Sequence, residues 1–266
     1  MPARPMSGTM DPMSPGTVDT MRFHLVDAFT DRAFTGNPAG VVVLDEPADA
    51  GWMQQVAAEM KHSETAFVVN RGDVKSLRWF TPTKEVALCG HATVAVTHVL
   101  GGRQVYDTLS GHLTCTKTGD WIEMDFPADP PLETGEDLNH IIPGARFTGR
   151  ARENLFVVLE SADAVRKAQP DLDALRETWT GRLVITAPGD DFVSRFFGPG
   201  VGVDEDPVTG SAHCCLAPYW AEKLGKTALT GAQLSERGGT VRVEVRGDRV
   251  LLRGQAVTVV SGELHV

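Results

Sequence analysis

The first regular pattern in the chain begins at Met21, after which the segment RFHLVDAF alternates polar and apolar residues as a half-buried strand does. A turn-rich segment, TGNPAG, follows at residues 35–40, and the apolar run at residues 41–44 predicts a second strand. Residues 52–61 then place their apolar side chains at helical spacing. The opening part of the chain therefore predicts strand, loop, strand and helix.

The segments after this helix are short, rich in residues that favour strands, and separated by turns. They lie at residues 65–69, 77–81, 104–106, 112–116 and 121–126. Strands this short, interrupted this often by turn residues, do not suit a parallel doubly wound sheet. We therefore predict an α+β fold whose sheets are mostly antiparallel.

One segment, HATVAVTHVL at residues 91–100, is apolar on nearly every face, and Gly101 and Gly102 follow it as a C-terminal cap. A helix that is apolar all round must be enclosed by other elements. The segment is too short to cross a bilayer, so we expect the short strands to curl around it as a barrel or half-barrel. Its β-branched Val and Thr residues leave a pair of strands open as the alternative.

A second passage of the same kind begins at Asp206, with the sequence DPVTGSAHCCLAPYWAEKL. Like the first, it places a glycine before small and apolar residues that run into a helix. LCGHA at residues 88–92 and VTGSA at residues 208–212 are the matching turns. We therefore predict two pseudo-repeated domains, each a curled, mostly antiparallel sheet around a central helix. Pro218 lies inside the second helix and should kink it or cut it short.

The Pro-rich stretch at residues 127–132 is the predicted boundary between the two domains. It gives an N-terminal domain of residues 21–128 and a C-terminal domain of residues 129–266. Residues 1–20 contain four Pro and four Met and lack the apolar run of a secretory signal. We expect them to form a flexible extension that carries no chemistry, or to reflect a misplaced start codon.

Charge, hydropathy and cysteine content limit the partners and the cellular compartment that we expect for this protein. The 266 residues include 25 Lys or Arg and 35 Asp or Glu, so the formal net charge is −10. Phosphate binding needs clustered positive charge, and we therefore expect no nucleic-acid partner. No apolar run reaches the length of a membrane span, so no membrane partner is expected. Four cysteines without a CxxC pair favour a reducing cytoplasm over a disulfide framework.

The two glycine turns, at Gly90 and Gly210, suit the binding of an anion. A glycine at the mouth of a buried helix lets the backbone approach a ligand closely, and the N–H groups of the first helical turn carry the positive end of the helix dipole. Two such turns that face each other across a cleft would bind a small molecule through a carboxylate. Neither turn has the Lys-Ser/Thr ending of a phosphate-binding P-loop.

Three proton-active residues, Glu64, His91 and Asp206, lie beside these turns or at the end of an element. Burial in a cleft would raise the pKa of a carboxyl group towards neutrality, where it can take up and return a proton. His91 can share that work because its ordinary pKa lies near neutrality. Each residue also has a purely structural interpretation. Glu64 would be a solvated acid at a helix end, His91 a packed histidine, and Asp206 an Asx-turn or N-cap aspartate.

The histidines do not predict a metal site. His62, His91, His98 and His213 do not form an HExxH motif, and His91 and His98 lie two turns apart on an apolar helix. We therefore expect no metal ion.

The cysteines leave a second kind of chemistry open, a thiol racemase or epimerase. Cys89 precedes the first glycine turn, where a helix N-terminus could lower the pKa of its thiol. A two-base racemase needs a second group on the opposite face of the substrate carbon. The second loop offers Pro207 or Thr209 at the matching position, and Cys214 and Cys215 come a turn later. We therefore favour a packing role for Cys89.

Four segments together resemble the PhzF-like family, which is named for an isomerase of phenazine biosynthesis. They are VDAFTDRAFTGNPAGVVVL at residues 26–44, MQQVAAEMKHSETAFV at 53–68, LRWFTPTKEVALCGHATVAV at 77–96 and FFGPGVGVDEDPVTGSAHCCLAPYW at 196–220. The four motifs occur in the order typical of the family. The resemblance runs from about Met21 to the C-terminus.

The resemblance implies the diaminopimelate-epimerase-like fold, with the active site between two similar domains. It implies that Glu64 is the catalytic acid/base, moving a proton between carbons of a small carboxylated substrate without a metal or organic cofactor. His91 and Asp206 would assist the proton transfer and hold the substrate, while Gly210 and Ser211 would bind its carboxylate. Members of the family are commonly soluble homodimers.

We therefore predict a cofactor-independent, PhzF-like isomerase, cytoplasmic and homodimeric, in a biosynthetic pathway. Its catalytic residues would be Glu64, His91 and Asp206, and the two turns at Gly90 and at Gly210–Ser211 would bind the substrate. A thiol-type epimerase and a non-catalytic small-molecule-binding protein remain the alternatives. The motifs concern the catalytic groups, so they do not specify the substrate.

Overall fold

The computed structural model describes residues 20–265, which form strands around a small number of helices. The helices are α1 Ala50–Met60, α2 Gly90–Leu100, α3 Ala162–Lys167, α4 Leu172–Arg176 and α5 His213–Leu224. The strands are β1 Thr20–Ala28, β2 Asn37–Leu44, β3 Glu64–Val69, β4 Val74–Phe80, β5 Glu85–Val86, β6 Arg103–Thr108, β7 Gly111–Thr118, β8 Trp121–Pro127, β9 Leu132–Glu133, β10 Phe147–Ala151, β11 Asn154–Val158, β12 Leu183–Pro188, β13 Phe192–Gly198, β14 Val203–Asp206, β15 Ala228–Gln233, β16 Gly239–Arg246, β17 Arg249–Gly254 and β18 Ala256–His265.

Most strand pairs are antiparallel, as the sequence predicts. The first sheet is built mainly from the N-terminal half and includes β1, β2, β3 and the late strand β18. In this sheet β1 lies between β2 and β18 and pairs with both in antiparallel orientation, while β2 and β3 are parallel. In the second half, β12 pairs antiparallel with β13, and β15, β16 and β17 form a meander. Parallel pairing is confined to a few neighbours such as β11–β12 and β13–β15.

Each half wraps its strands around one helix. Residues 90–97 of α2 are all buried, and the helix packs against β1, β2, β3 and β18. The other enclosed helix, α5, packs against β15, β16 and β17 in the second half. The predicted fold class, a curled sheet around a central helix in each of two similar halves, is confirmed. The alternative of a strand pair at residues 91–100 is wrong, because the run forms a single enclosed helix.

The first helix, α1, covers the opposite face of the first sheet. Its N-terminus is capped by the Asp49 carboxylate, which accepts hydrogen bonds from the N–H groups of Gly51 and Trp52. Buried side chains of α1 pack against Phe67 of β3 and its neighbours. Because successive strand residues point to opposite faces, the face of β3 away from α1 is the one that faces α2.

The helix α5 continues through Pro218 to Leu224, so the expected shortening does not occur. A proline lacks the N–H that would bond to the carbonyl four residues earlier, which here belongs to Cys214. That carbonyl accepts a hydrogen bond from the backbone N–H of Asp129 at 3.0 Å. A loop outside the helix therefore satisfies the group that Pro218 leaves free.

The predicted boundary between the halves, at residues 127–132, stays a prediction. Hydrogen-bonded strands cross it in two places, because β8 pairs with β17 and β1 pairs with β18. One hydrophobic cluster also runs through both halves. The predicted extension, residues 1–20, lies outside the described residues except for Thr20, which begins β1. Within the described residues, no helix has the length and apolar character needed to cross a membrane.

Candidate active site

Glu64 is the first residue of β3, and the parallel ladder places it beside Ala39 of β2. Alternation along the strand puts its side chain on the same face as Ala66 and Val68, which pack in the core around α2. The carboxyl group therefore points towards the start of α2. It keeps 17% side-chain exposure, so it is largely buried yet reachable from outside.

His91 lies in the first turn of α2 and is almost completely buried. Its Nε2 is 3.3 Å from Oε2 of Glu64, but the two atoms do not have the angles of a hydrogen bond, so this nitrogen has no partner among the described residues. Its Nδ1 lies 3.5 Å from the sulfur of Cys89. Burial, reinforced by the nearby His62, lowers the pKa of His91 to about 3. The imidazole is therefore neutral at physiological pH.

The two carboxyl groups of the site have raised pKa values. Burial, and then the charge of Asp206, raises the pKa of Glu64 from 4.5 to about 8, against a smaller opposing hydrogen bond from Cys89. Burial raises the pKa of Asp206 to about 6, although hydrogen bonds from Thr209 and Asn37 oppose the shift. Near neutral pH, Asp206 is therefore mostly ionised and Glu64 mostly protonated.

The two glycine turns meet. A Cβ added to Gly90 would lie 3.3 Å from the Cα of Gly210, and one added to Gly210 would lie 3.2 Å from the ring of Phe29. Both contacts are tighter than an ordinary van der Waals contact, so a side chain at Gly90 would press on the second turn and one at Gly210 would press on the ring of Phe29. Ser211, beside Gly210, is exposed. The predicted pair of anion-binding turns is therefore brought together at one place.

Cys89 immediately precedes α2 and is buried beside His91. Burial, followed by the charge of Glu64, raises the pKa of its thiol well above the ordinary value. Within residues 20–265, Glu64, Cys89 and His91 are the group whose potential metal-ligating atoms lie within 4.8 Å of one another. A thiol that holds its proton is a poor nucleophile, so Cys89 is a weak candidate for the reacting group.

A surface cavity of about 530 Å³ does not have the titratable groups of the site among its lining residues. Its lining includes Arg166, Arg195 and Gln233, but neither Glu64, His91 nor either glycine turn. The titratable groups, and not this cavity, therefore define the candidate site.

Comparison with known proteins decides the family. The family model for phenazine biosynthesis-like proteins, PhzC-PhzF, matches residues 26–262. An "uncharacterized isomerase" of Pseudomonas aeruginosa is 47% identical over 260 residues, which cover 92% of this chain and 99% of the relative. This chain belongs to the phenazine biosynthesis-like family. The expected resemblance is confirmed, and so is the expected class of enzyme, an isomerase.

Solved structures agree with this placement in the phenazine biosynthesis-like family. A PhzF-family protein of Enterococcus faecalis matches with a TM-score of 0.88 at 37% identity, covering 93% of this chain and 100% of that one. A hydroxyproline epimerase of Agrobacterium vitis matches with a TM-score of 0.60 at 10% identity, covering 93% of each chain. The second likeness concerns the fold alone, and it agrees with the expected epimerase-like architecture.

The structure of this phenazine biosynthesis-like protein also brings in residues that the sequence did not single out for the site. Asn37, in the segment taken as a turn, donates a hydrogen bond to Oδ1 of Asp206 at 2.8 Å. Thr209, considered only as a counterpart of Cys89, donates to Oδ2 of Asp206. Gln233, at the end of β15, binds the backbone of Asp206 and Thr209. No local pattern marks Asn37 or Gln233, because their partners lie on distant elements. Thr209 contacts Asp206 across only three residues, a contact that the sequence analysis did not consider.

Proposed function

We propose that this chain is a cofactor-independent isomerase that moves a proton between carbons of a small carboxylated substrate, with Glu64 as the general acid/base. The observation that carries the proposal is the carboxyl of Glu64, with a pKa of about 8, placed 3.3 Å from the neutral imidazole of His91. A group whose pKa lies near the working pH is available in both its acid and its base form.

The proton transfer needs no oxidant or reductant. In its ionised form, Glu64 takes a proton from one substrate carbon, and the electrons of that C–H bond form a new double bond. This step requires a substrate that already has a double bond at the adjacent carbon. The electron pair of that existing double bond moves to its far carbon, and that far carbon takes the proton back from Glu64. The substrate has then gained and lost one proton, and Glu64 has returned to its starting form.

His91 and the two turns have supporting roles in this proposal. The Nε2 of His91 has no partner among the described residues, so it is free to accept a hydrogen bond from the protonated Glu64 or from a substrate hydroxyl or amine. The substrate carboxylate would bind the free N–H groups at the start of α2 and at Gly210–Ser211. Asp206 contributes a fixed negative charge that favours the protonated form of Glu64.

Substitution of the catalytic acid tests the proposal. Small cyclic and α-amino carboxylates would be screened by thermal shift, and each hit would be followed by NMR in deuterated water. We expect the wild-type protein to incorporate deuterium into a turned-over substrate, and the Glu64→Gln variant, which keeps the shape but cannot accept a proton, to incorporate none. Exchange at the wild-type rate in Glu64→Gln would remove Glu64 from this role.

Two alternatives give different results in the same experiment. A thiol epimerase would lose its exchange in Cys89→Ser, whereas the proposed isomerase would keep it. A non-catalytic binding protein would bind a ligand tightly and exchange no deuterium. The raised pKa of the Cys89 thiol argues against the first alternative, because the thiolate is the reactive form.

The biosynthetic role, the cytoplasmic location and the homodimer are part of the same proposal. What supports the cytoplasmic location is that Cys89, Cys115, Cys214 and Cys215 are all free and buried. The homodimer rests on the resemblance to the family. Sedimentation of the purified chain at several concentrations tests it, and a monomer at all of them would contradict it.

A further inference from the structure

Both carboxylate oxygens of Asp206 accept hydrogen bonds from side chains. The amide nitrogen of Asn37 donates to Oδ1 at 2.8 Å, and the hydroxyl of Thr209 donates to Oδ2. All three residues are buried. Two donors aimed at one buried carboxyl favour its ionised form, because the protonated form would give up one of the acceptor positions.

Gln233 fixes the direction of the hydrogen bond from Thr209. Its amide nitrogen donates to the backbone carbonyl of Asp206 at 2.8 Å and to Oγ1 of Thr209 at 3.3 Å, and its carbonyl oxygen accepts from the N–H of Thr209 at 2.9 Å. The Thr209 oxygen thus receives a hydrogen from Gln233. Its own hydrogen is left for Asp206, so the chain of donors ends on the carboxylate.

The amide of Asn37 can be oriented in only one favourable way. Its nitrogen faces two acceptors, Oδ1 of Asp206 and the backbone carbonyl of Val208, at 2.8 and 3.0 Å. A flipped amide would place its oxygen against both of them. The observed orientation leaves Oδ1 of Asn37 without a partner among the described residues, which costs less than two opposed acceptors.

Asn37 also connects the two halves of the protein at the site. It begins β2, two positions before Ala39, the residue that the parallel ladder places beside Glu64. Asn37 and Glu64 therefore lie on neighbouring strands of the first sheet, with their side chains on the same face. Asp206 and Thr209 belong to the second half, 169 or more positions along the chain.

We propose that Asn37 is a positioning residue that, together with Thr209, holds Asp206 as a fixed carboxylate, whose charge keeps the proton on Glu64. The titratable groups around Glu64 are His62, Cys89, His91 and Asp206, and Glu205 adjoins Asp206. Burial disfavours the charged form of both the histidines and the thiol. Asp206 is the group in this set whose negative charge acts on Glu64 near neutral pH.

The catalytic meaning of this inference rests on the proposed function, but its test does not. The titration of Glu64 can be followed by NMR of the protein with ¹³C-labelled glutamate carboxyl groups, and the signal is assigned by its loss in Glu64→Gln. Asn37→Leu keeps a similar volume and removes the donor. We expect the midpoint of the Glu64 titration to fall by about one pH unit. Without the donor from residue 37, Asp206 keeps its proton up to a higher pH and therefore repels the ionised form of Glu64 less.

Two further variants and a matched control make the result decisive. Thr209→Val removes the donor to the other oxygen and should shift the Glu64 midpoint downwards, and Asp206→Asn should do so directly. Thr65→Val makes the same isosteric change next to Glu64, at a buried hydroxyl that has no partner among the described residues, and should leave the midpoint where it is. If Asn37→Leu fails to fold, the Thr209→Val measurement still tests whether a donor to Asp206 controls the titration of Glu64.

Two outcomes would overturn the inference. In the first, Asp206→Asn leaves the Glu64 midpoint unchanged, so that the charge of Asp206 has no influence on Glu64. In the second, Asp206→Asn lowers the midpoint but neither Asn37→Leu nor Thr209→Val does, so that Asn37 only supports the structure. Neither outcome depends on turnover, whereas retained deuterium exchange in Glu64→Gln would contradict the proposed isomerase alone.

Discussion

Replacing Glu64 with Gln should make the protein more stable at alkaline pH. The pKa of Glu64 is raised from 4.5 to about 8 in the folded state, so between these values the unfolded chain releases a proton that the folded protein keeps. Stability therefore declines as the pH rises through this window and levels off above it. The gap between 4.5 and about 8 corresponds to a loss on the order of 5 kcal/mol of unfolding free energy at the alkaline end.

The neutral amide of Glu64→Gln has the same shape and no proton to lose. We expect the variant and the wild-type protein to have similar free energies of unfolding at pH 5, and the variant to be the more stable by several kcal/mol at pH 9. Urea unfolding followed by circular dichroism at pH 5, 7 and 9 measures the difference. Glu59→Gln, at an exposed position on α1, is the matched control and should show no such dependence.

The comparison between pH values is what tests the reasoning. A packing defect in the variant would lower its stability equally at every pH. It would not change how the difference in unfolding free energy between variant and wild type varies with pH. If the difference in unfolding free energy between Glu64→Gln and wild type is the same at pH 5 and pH 9, then the folded protein does not hold a proton on Glu64. The acid/base role would then have lost its physical basis.

Two further predictions concern the neighbours of Glu64. Gly90→Ala adds a Cβ 3.3 Å from a backbone atom of Gly210, and should reduce deuterium exchange by about 10- to 100-fold, because small displacements of catalytic groups are costly. Gly262→Ala, where nothing lies within 4 Å, should exchange at the wild-type rate; equal rates for both variants would contradict the close approach. His91, with a pKa of about 3, should show the ¹⁵N shifts of a neutral imidazole from pH 8 down to pH 4, and a protonated ring at pH 6 would contradict its burial.

Local patterns predicted the elements of this fold well. The run at residues 91–100 is apolar on every side, and that property alone requires a surrounding sheet, which is what α2 has. The two glycine turns were also recognisable, because small residues before a buried helix mark a close approach. Pro218 does not cut α5 short, one of the two predicted effects, and the carbonyl that it leaves free is satisfied by the distant Asp129.

Pairing and hydrogen bonds between distant segments were beyond the sequence. Alternation along a strand shows which face is buried but not which strand lies next to it, so nothing pointed to the pairing of β1 with β18. The contact between Asn37 and Asp206 could not be predicted for the same reason. In the sequence Asn37 is one residue of a turn, and its link to Asp206 exists only in the folded chain.

The pairing of β1 with β18 has a consequence for biosynthesis. A ribosome delivers β1 early and β18 after every other described strand, so one edge of the first sheet stays uncovered until β18 has been made. The nascent first half must therefore be kept from pairing that edge with other chains. Loss of the last ten described residues, for example by a premature stop codon, would leave β1 without this neighbour although every residue of the candidate site had been made.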